Sequence, residues 1–221
     1  MTINENTWVI IPAHNEENRI SSVIDRVRKH VGNIVVVDDG STDNTGKVVN
    51  KVKALVLVHI LNLGKGAAVK TGCDFALKKG AEKIILIDAD GQHDPDEIPR
   101  FLKALEKVDI VFGYRKFTKT MPVIFRFGNK FIDSITRFLY GIKLRDTQCG
   151  YRAFTSRAYR KIRWKSSDYA MESEMIANVG KYRLSYAQLK IDTLYPERYK
   201  GTTILDGIKI VISMIWWRLK K

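Results

Sequence analysis

Apolar runs of four to eight residues alternate with longer amphipathic stretches over the first 112 positions. Thr7 to Ile11 predicts a short strand stopped by Pro12, and Asn15 predicts the cap of a helix running to about His30. Glu16 and Glu17 in its first turn favour the helix dipole. Ile34 to Val37 predicts the second strand, and Ser41-Thr42-Asp43 opens a helix to about Val52. Ala54 to Leu61 predicts the third strand, followed by a helix from Lys65 to Lys79 whose inner face carries Ala68, Val69, Cys73 and Ala76. Ile84 to Ile87 predicts the fourth strand. Asp94-Pro95-Asp96-Glu97 combines a cap, a first-turn proline and acids, and so starts another helix. Asp109 to Phe112 predicts the fifth strand. Strand–helix alternation at this spacing predicts an α/β fold with a mostly parallel sheet covered on both faces.

The pattern changes after Gly113. Ile124, Phe127, Phe131, Ile135 and Phe138 recur at helical spacing over residues 121–140, with Arg126, Lys130, Asp133 and Arg137 interleaved. Residues 204–217 repeat the design with Ile208, Val211, Ile212, Ile215, Trp216 and Trp217, followed by Arg218, Lys220 and Lys221. Two readings stand for both stretches: core-facing helices, or helices lying in a membrane interface. Neither is long and uninterrupted enough to span a bilayer, and no signal peptide is expected at the N-terminus.

Charge separates the same two regions. The chain of 221 residues carries a formal net charge of +14. Residues 1–112 hold 15 basic and 16 acidic side chains, while residues 113–221 hold 23 and 8. The whole excess therefore lies in the second half, which calls for a polyanionic partner there: nucleic acid, anionic lipid or a phosphorylated substrate. Two distant cysteines, Cys73 and Cys149, form neither a disulfide framework nor a zinc pattern and fit a cytoplasmic setting. The length fits a single domain.

Chemistry concentrates at the strand ends. Asp88 and Asp90 follow an apolar run at i, i+2 and would point the same way if the strand continued regularly. Two hard oxygen ligands on a rigid strand suit Mg²⁺ or Mn²⁺, which also takes waters and substrate phosphates. Val37-Asp38-Asp39-Gly40 is a second acidic strand end. Pro12-Ala13-His14-Asn15-Glu16 and Asn62-Leu63-Gly64-Lys65-Gly66 complete four consecutive loops at the edge where open α/β sheets bind ligands. The first loop is not the glycine-rich, basic loop of a nucleotidyltransferase, and G-x-G-x-x-G is absent from it. A basic nucleic-acid-binding module would leave Asp39, Asp88 and Asp90 without purpose, because acids repel phosphates unless metal-loaded.

As a set, these motifs resemble the family 2 glycosyltransferases with the GT-A fold. Asp146-Thr147-Gln148-Cys149-Gly150-Tyr151-Arg152, Tyr169-Ala170-Met171-Glu172-Ser173-Glu174-Met175 and Thr193-Leu194-Tyr195-Pro196-Glu197-Arg198 are similar to segments of the dolichyl- and polyprenyl-phosphate sugar synthases. The resemblance implies a nucleotide-sugar-binding half (1–112), an acceptor half (113–203) and an amphipathic C-terminal helix (204–221). It implies that Pro12, Ala13 and Glu16 border the nucleoside, that Asp39 contacts the base, and that Lys65 binds substrate. Asp88, Asp90 and Gln92 would hold the metal. Arg115, Arg126 and Arg198 would receive phosphate oxygens, with Asp90, Arg115 and Arg126 the catalytic set. The implied reaction is inverting transfer of a hexose from GDP-mannose or UDP-glucose to dolichyl or polyprenyl phosphate. A different acceptor is the alternative. The expected setting is the cytoplasmic face of an anionic membrane, attached peripherally or through a membrane-protein partner, with no nucleic acid involved.

Overall fold

A computed structural model describes residues 6–115, 123–168, 170–192 and 211–217, and within 123–131 the backbone alone. Seven strands form one sheet: β1 (Thr7–Ala13), β2 (Asn33–Asp39), β3 (Leu55–His59), β4 (Lys83–Leu86), β5 (Ile110–Arg115), β6 (Arg152–Thr155) and β7 (Tyr186–Ile191). Their order is β3-β2-β1-β4-β6-β5-β7. Adjacent pairs run parallel except where β6 lies antiparallel between β4 and β5, with Arg152 opposite both Leu86 and Phe112.

Side-chain parity along the strands sorts the core into two layers. Ile10, Val35, Val37, Ile84, Leu86 and Phe112 face α3 (Lys65–Lys78), α6 (Ser156–Ile162) and α7 (Ala170–Lys181). Val9, Ile11, Ile34, Val36, Ile85 and Val111 face α1 (Ile20–Arg28), α2 (Thr45–Lys51) and α4 (Ile98–Leu105). Strands covered on both faces read as continuous apolar runs, which is why Val35-Val36-Val37 and Ile84-Ile85-Leu86 carry no polar alternation. Each fully buried side chain of this size contributes about 1.5–3 kcal/mol of transfer free energy.

Several boundaries differ from the sequence expectation. β1 continues through Pro12 to Ala13. Ile10 gives its carbonyl to Ile87 on the β4 side, and Pro12 shares that side by parity, beyond the last paired residue of β4. Its missing N–H therefore interrupts no ladder. Asn15 is not a helix cap. It sits at φ 56° and its Oδ1 accepts N–H bonds from Thr42 and Asp43, while α1 starts only at Ile20. Asp38 and Asp39 belong to β2, α2 begins at Thr45, and β3 ends at His59. β4 stops at Leu86, so Asp88 and Asp90 do not continue a regular strand, and Asp90 lies in a turn closed by Gly91 at φ 74°. The cap at Asp94 stands: its side chain accepts the Asp96 N–H, opening a 3₁₀ turn over Pro95–Glu97 ahead of α4.

The second half was read as helices alone, and β6, β7, α6 and α7 were missed. The helix expected over 121–140 is α5 (Val123–Tyr140). Its buried Ile132 packs with Ala170 and with Met214 of the helical residues 211–217, and the Tyr140 hydroxyl donates to the Met214 carbonyl at 2.6 Å. The core-facing reading thus holds for one face. Phe138, Ile212, Ile215 and Trp216 stand exposed on the remainder. Residues 204–210 and 218–221 lie outside the described residues.

Candidate functional site

The parallel strands β1, β2, β4 and β5 all end at one edge of the sheet. Because β6 runs antiparallel, the loop that enters it, Asp146–Tyr151, lies at that same edge. Sequence-distant loops converge there for this reason alone.

The loops of β1 and β2 are stitched together. The Asn15 side chain holds residues 42 and 43, the Glu16 N–H donates to Thr45 Oγ1 at 2.9 Å, and the Glu17 N–H donates to Asp43 Oδ2 at 3.1 Å. Asp38 accepts the Ser41 N–H. Asp39 is buried, and its carboxylate is heavily engaged. Oδ1 accepts from His59 Nδ1 at 2.6 Å and from the Leu63 N–H at 3.0 Å, and Oδ2 accepts the Gly64 N–H at 2.8 Å. Contacts among the described residues thus take three of its roughly four lone-pair sites. Asp39 thus anchors the loop that leads to Lys65, a role that sequence reasoning missed.

The centre of the site is an acid pair met by cations. Lys65 Nζ lies 2.8 Å from Asp88 Oδ1 and 3.1 Å from Glu172 Oε1. Burial alone would pull the Lys65 ammonium down, but the Asp88 and Glu172 carboxylates outweigh it and hold it above the ordinary lysine value. Burial likewise works against the Asp88 carboxylate, yet Lys65, His93 and Arg115 bring it down to about 2. Asp90 behaves in the opposite way. Burial and the neighbouring Asp88 charge push it up to about 6, with Glu16 adding to the repulsion, although its Oδ1 accepts the Gln92 N–H at 2.9 Å. Glu16, Asp88, Asp90 and Gln92 are therefore gathered by the fold, with Pro12 and Ala13 at the adjoining end of β1.

Arg115, at the end of β5, makes a fork on Asp146: Nε to Oδ2 at 2.7 Å and Nη2 to Oδ1 at 3.1 Å. Its positive charge reaches Asp88 as well. Gly150 closes the floor. A Cβ there would stand 2.5 Å from Asp88 Oδ2 and 2.9 Å from Lys65 Nζ, so only glycine permits this approach. Beneath it the buried Arg152 guanidinium donates to the carbonyls of Thr147, Cys149 and Glu172. His93, just ahead of the Asp94 cap, is buried against Tyr151, and its Nδ1 accepts the Asp88 N–H at 3.3 Å. Burial lowers its pKa to about 4, so the ring is neutral at pH 7. The Arg126 side chain and Arg198 lie outside the described residues.

Asp88 and Asp90 fit a hard divalent cation of the kind that keeps open positions. Among the described residues no group of three or more His, Cys, Asp or Glu is placed to hold a metal ion. Mg²⁺ sites that serve phosphates commonly use one or two carboxylates and complete the shell with water and substrate oxygens. The repulsion that raises Asp90 is what a cation between the two acids would relieve.

Comparison with known proteins bears on family and fold. A protein of Methanococcus voltae, UDP-N-acetylglucosamine–dolichyl-phosphate N-acetylglucosaminyltransferase, is 32% identical over 97% of this chain and 96% of its own length. An uncharacterised protein of Methanocaldococcus jannaschii is 36% identical over 96% of this chain and 92% of its own. Polyprenol monophosphomannose synthase of Mycolicibacterium smegmatis is 36% identical over 50% of this chain and 45% of its own length. Among solved structures, glucosyl-3-phosphoglycerate synthase of Mycobacterium tuberculosis with Mg²⁺ and UDP has a TM-score of 0.78 at 19% identity, over 97% of this chain and 79% of that one. The same enzyme with Mn²⁺, UDP-glucose and phosphoglyceric acid has a TM-score of 0.77 at 20% identity, over 98% and 80%. These structures share the GT-A fold. Residues 8–163 match the family described as Glycosyl transferase family 2, and with the full-length relatives this shows that the chain is a glycosyltransferase belonging to that family, similar to its polyprenyl-phosphate sugar synthases.

Proposed function

We propose that this enzyme transfers a hexose from a nucleoside diphosphate sugar to a dolichyl or polyprenyl phosphate, with inversion at the anomeric carbon. The observation that carries the reading is the acid pair Asp88/Asp90 set among Lys65 and Arg115. Breaking the C1–O bond to a nucleoside diphosphate develops negative charge on the leaving group, which fixed cations stabilise. A bound Mg²⁺ or Mn²⁺ held by Asp88 and Asp90, with Gln92 beside them, would supply Lewis-acid charge to the diphosphate. Lys65 and Arg115 add charge from the protein, the latter with Arg126 and Arg198 proposed for the acceptor phosphate. A guanidinium suits phosphate through paired hydrogen bonds. A lipid phosphate is already ionised and attacks directly, so the site needs no general base. Pro12, Ala13, Glu16 and Asp39 would border the nucleoside. The sequence suggested GDP-mannose or UDP-glucose as donor, and the Methanococcus voltae relative adds UDP-N-acetylglucosamine by its name.

The membrane supplies the acceptor. No helix among the described residues is long and apolar enough to cross it. The exposed Phe138, Ile212, Ile215 and Trp216, beside the basic second half, support peripheral attachment to an anionic cytoplasmic leaflet. The test is a transfer screen of the three donors with a polyprenyl phosphate and Mn²⁺, read as lipid-linked sugar of inverted configuration. Release of free sugar alone, with no lipid product from any donor, would overturn the acceptor.

A further inference from the structure

We propose that Glu172 is a positioning residue of the donor site: it takes over the Lys65 ammonium when a divalent cation claims Asp88. The inference rests on the metal site proposed above.

Lys65 and a metal would compete for one carboxylate. The ammonium lies 2.8 Å from Asp88 Oδ1, and a cation bound to Asp88 would repel it. Both side chains also stand close over Gly150, where a Cβ would meet Asp88 Oδ2 at 2.5 Å and Lys65 Nζ at 2.9 Å. The ammonium therefore needs another anion within reach. Glu172 Oε1 is already 3.1 Å away. Its Oε2 is buried and has no hydrogen-bond partner among the described residues. A buried carboxylate oxygen without a partner is costly, and this one gives Lys65 a second acceptor on the same side chain. An ammonium has three donors and can move from sharing two acids to resting on one.

The first turn of α7 is built for this task. The Glu172 carbonyl is held by Arg152 Nη1 at 3.0 Å. Two residues on, Glu174 accepts the N–H groups of Lys165 and Ser166. That segment seats the start of α3, with the Ser167 carbonyl accepting the Ala67 N–H and the Gly66 carbonyl accepting from Trp164 Nε1. Glu174 thus fixes the backbone around Lys65, and Glu172 fixes its side chain. Glu172 has 2% of its surface exposed and acts through the lysine it is paired with.

The test is Mn²⁺ binding to the full chain without nucleotide, by calorimetry. In Glu172→Gln, Lys65 loses a charged partner and competes harder for Asp88, so Mn²⁺ should bind about tenfold more weakly, the scale of one charge-assisted contact. Adding Lys65→Met to Glu172→Gln removes the competitor and should restore Mn²⁺ binding to the wild-type level or tighter, while weakening UDP and GDP. A merely structural role would leave the double variant as weak as the single one, and that result would overturn the proposal. Lys65→Met alone is the independent arm, should Glu172→Gln not fold: it should bind Mn²⁺ more tightly than wild type, and weaker or equal binding would also overturn it. Wild-type protein that ignores Mn²⁺ would sink the metal site and this inference together. Wild-type binding matched by Glu172→Gln would sink this inference alone.

Discussion

The two halves of the sheet bring different chemistry to one edge. The strands up to β4 deliver acids: Glu16, Asp39, Asp88 and Asp90. From β5 onward come Arg115, the Gly150 floor and Arg152, together with Asp146 and Glu172 as acids that hold cations in place. Lys65 crosses the divide, starting in the first half and resting against Glu172 of the second. The comparison shows why charge counted along the chain was informative but coarse. The basic second half is not a uniform basic surface: near the acid pair Arg115 is pinned by the buried Asp146, and Arg152 by backbone carbonyls.

The largest expected effect breaks the acidic side. Asp90→Ala should lower turnover about 100- to 1000-fold, comparable to deleting a main charge-stabilising group, with the circular dichroism spectrum unchanged. Asp88→Ala should act similarly, and it also frees Lys65. Near-normal turnover in either folded variant would remove the acid pair from the chemistry.

The cationic side breaks differently. Arg152→Leu takes the guanidinium away from the Thr147, Cys149 and Glu172 carbonyls, in the loop entering β6 and in α7. It should cost about 3 kcal/mol or more of stability, read as a shift of the urea midpoint. An unchanged midpoint would show that the second half does not depend on this guanidinium. Asp39→Ala tests the loop between the halves. Losing bonds to a charged acceptor should cost roughly 1.5–3 kcal/mol, in the unfolding free energy as well as in UDP or GDP affinity, because Asp39 holds His59, Leu63 and Gly64.

A pH series sharpens the contrast within the acid pair. Asp90 has a folded-state pKa near 6, raised by burial and then by Asp88. A carboxyl whose folded pKa is raised binds its proton more tightly in the folded state, so it destabilises increasingly as pH climbs from about 4 to 6. Asp133 shifts in the same direction and His93 in the opposite one, so the total curve mixes signs. The difference between Asp90→Asn and wild type isolates the group. In EDTA the variant should match wild type near pH 4, gain melting temperature up to about pH 6 and plateau above. A flat difference would mean that Asp90 ionises freely.

The smallest effects lie on the exposed faces of α5 and residues 211–217. Each cation near an anionic leaflet contributes up to about 1 kcal/mol and is screened by salt. Liposome co-sedimentation should fall with added salt and with Trp216→Ala. Indifference to anionic liposomes at low salt would assign these faces to another contact.

The sequence by itself determined the first half well. Parallel strands buried on both faces leave continuous apolar runs, and their loops carry glycine, proline and acids at legible places, so every strand from β1 to β5 was recognisable even where its ends were not. The acid pair was equally legible, because it follows its strand within four residues. Only the tertiary structure decided the rest. β6 is four residues long and borrows its stability from β4 and β5, so Arg152-Ala153-Phe154-Thr155 has no local pattern that announces a strand. α7 is buried over most of its surface, which erases the apolar stripe that marks a surface helix. The pairings of Arg115 with Asp146, of Lys65 with Glu172 and of Asp39 with His59 join residues 20 to 107 positions apart. No spacing rule reaches that far. The order of the strands does, because an antiparallel strand set among parallel ones returns a distant loop to the edge where the acids already stand.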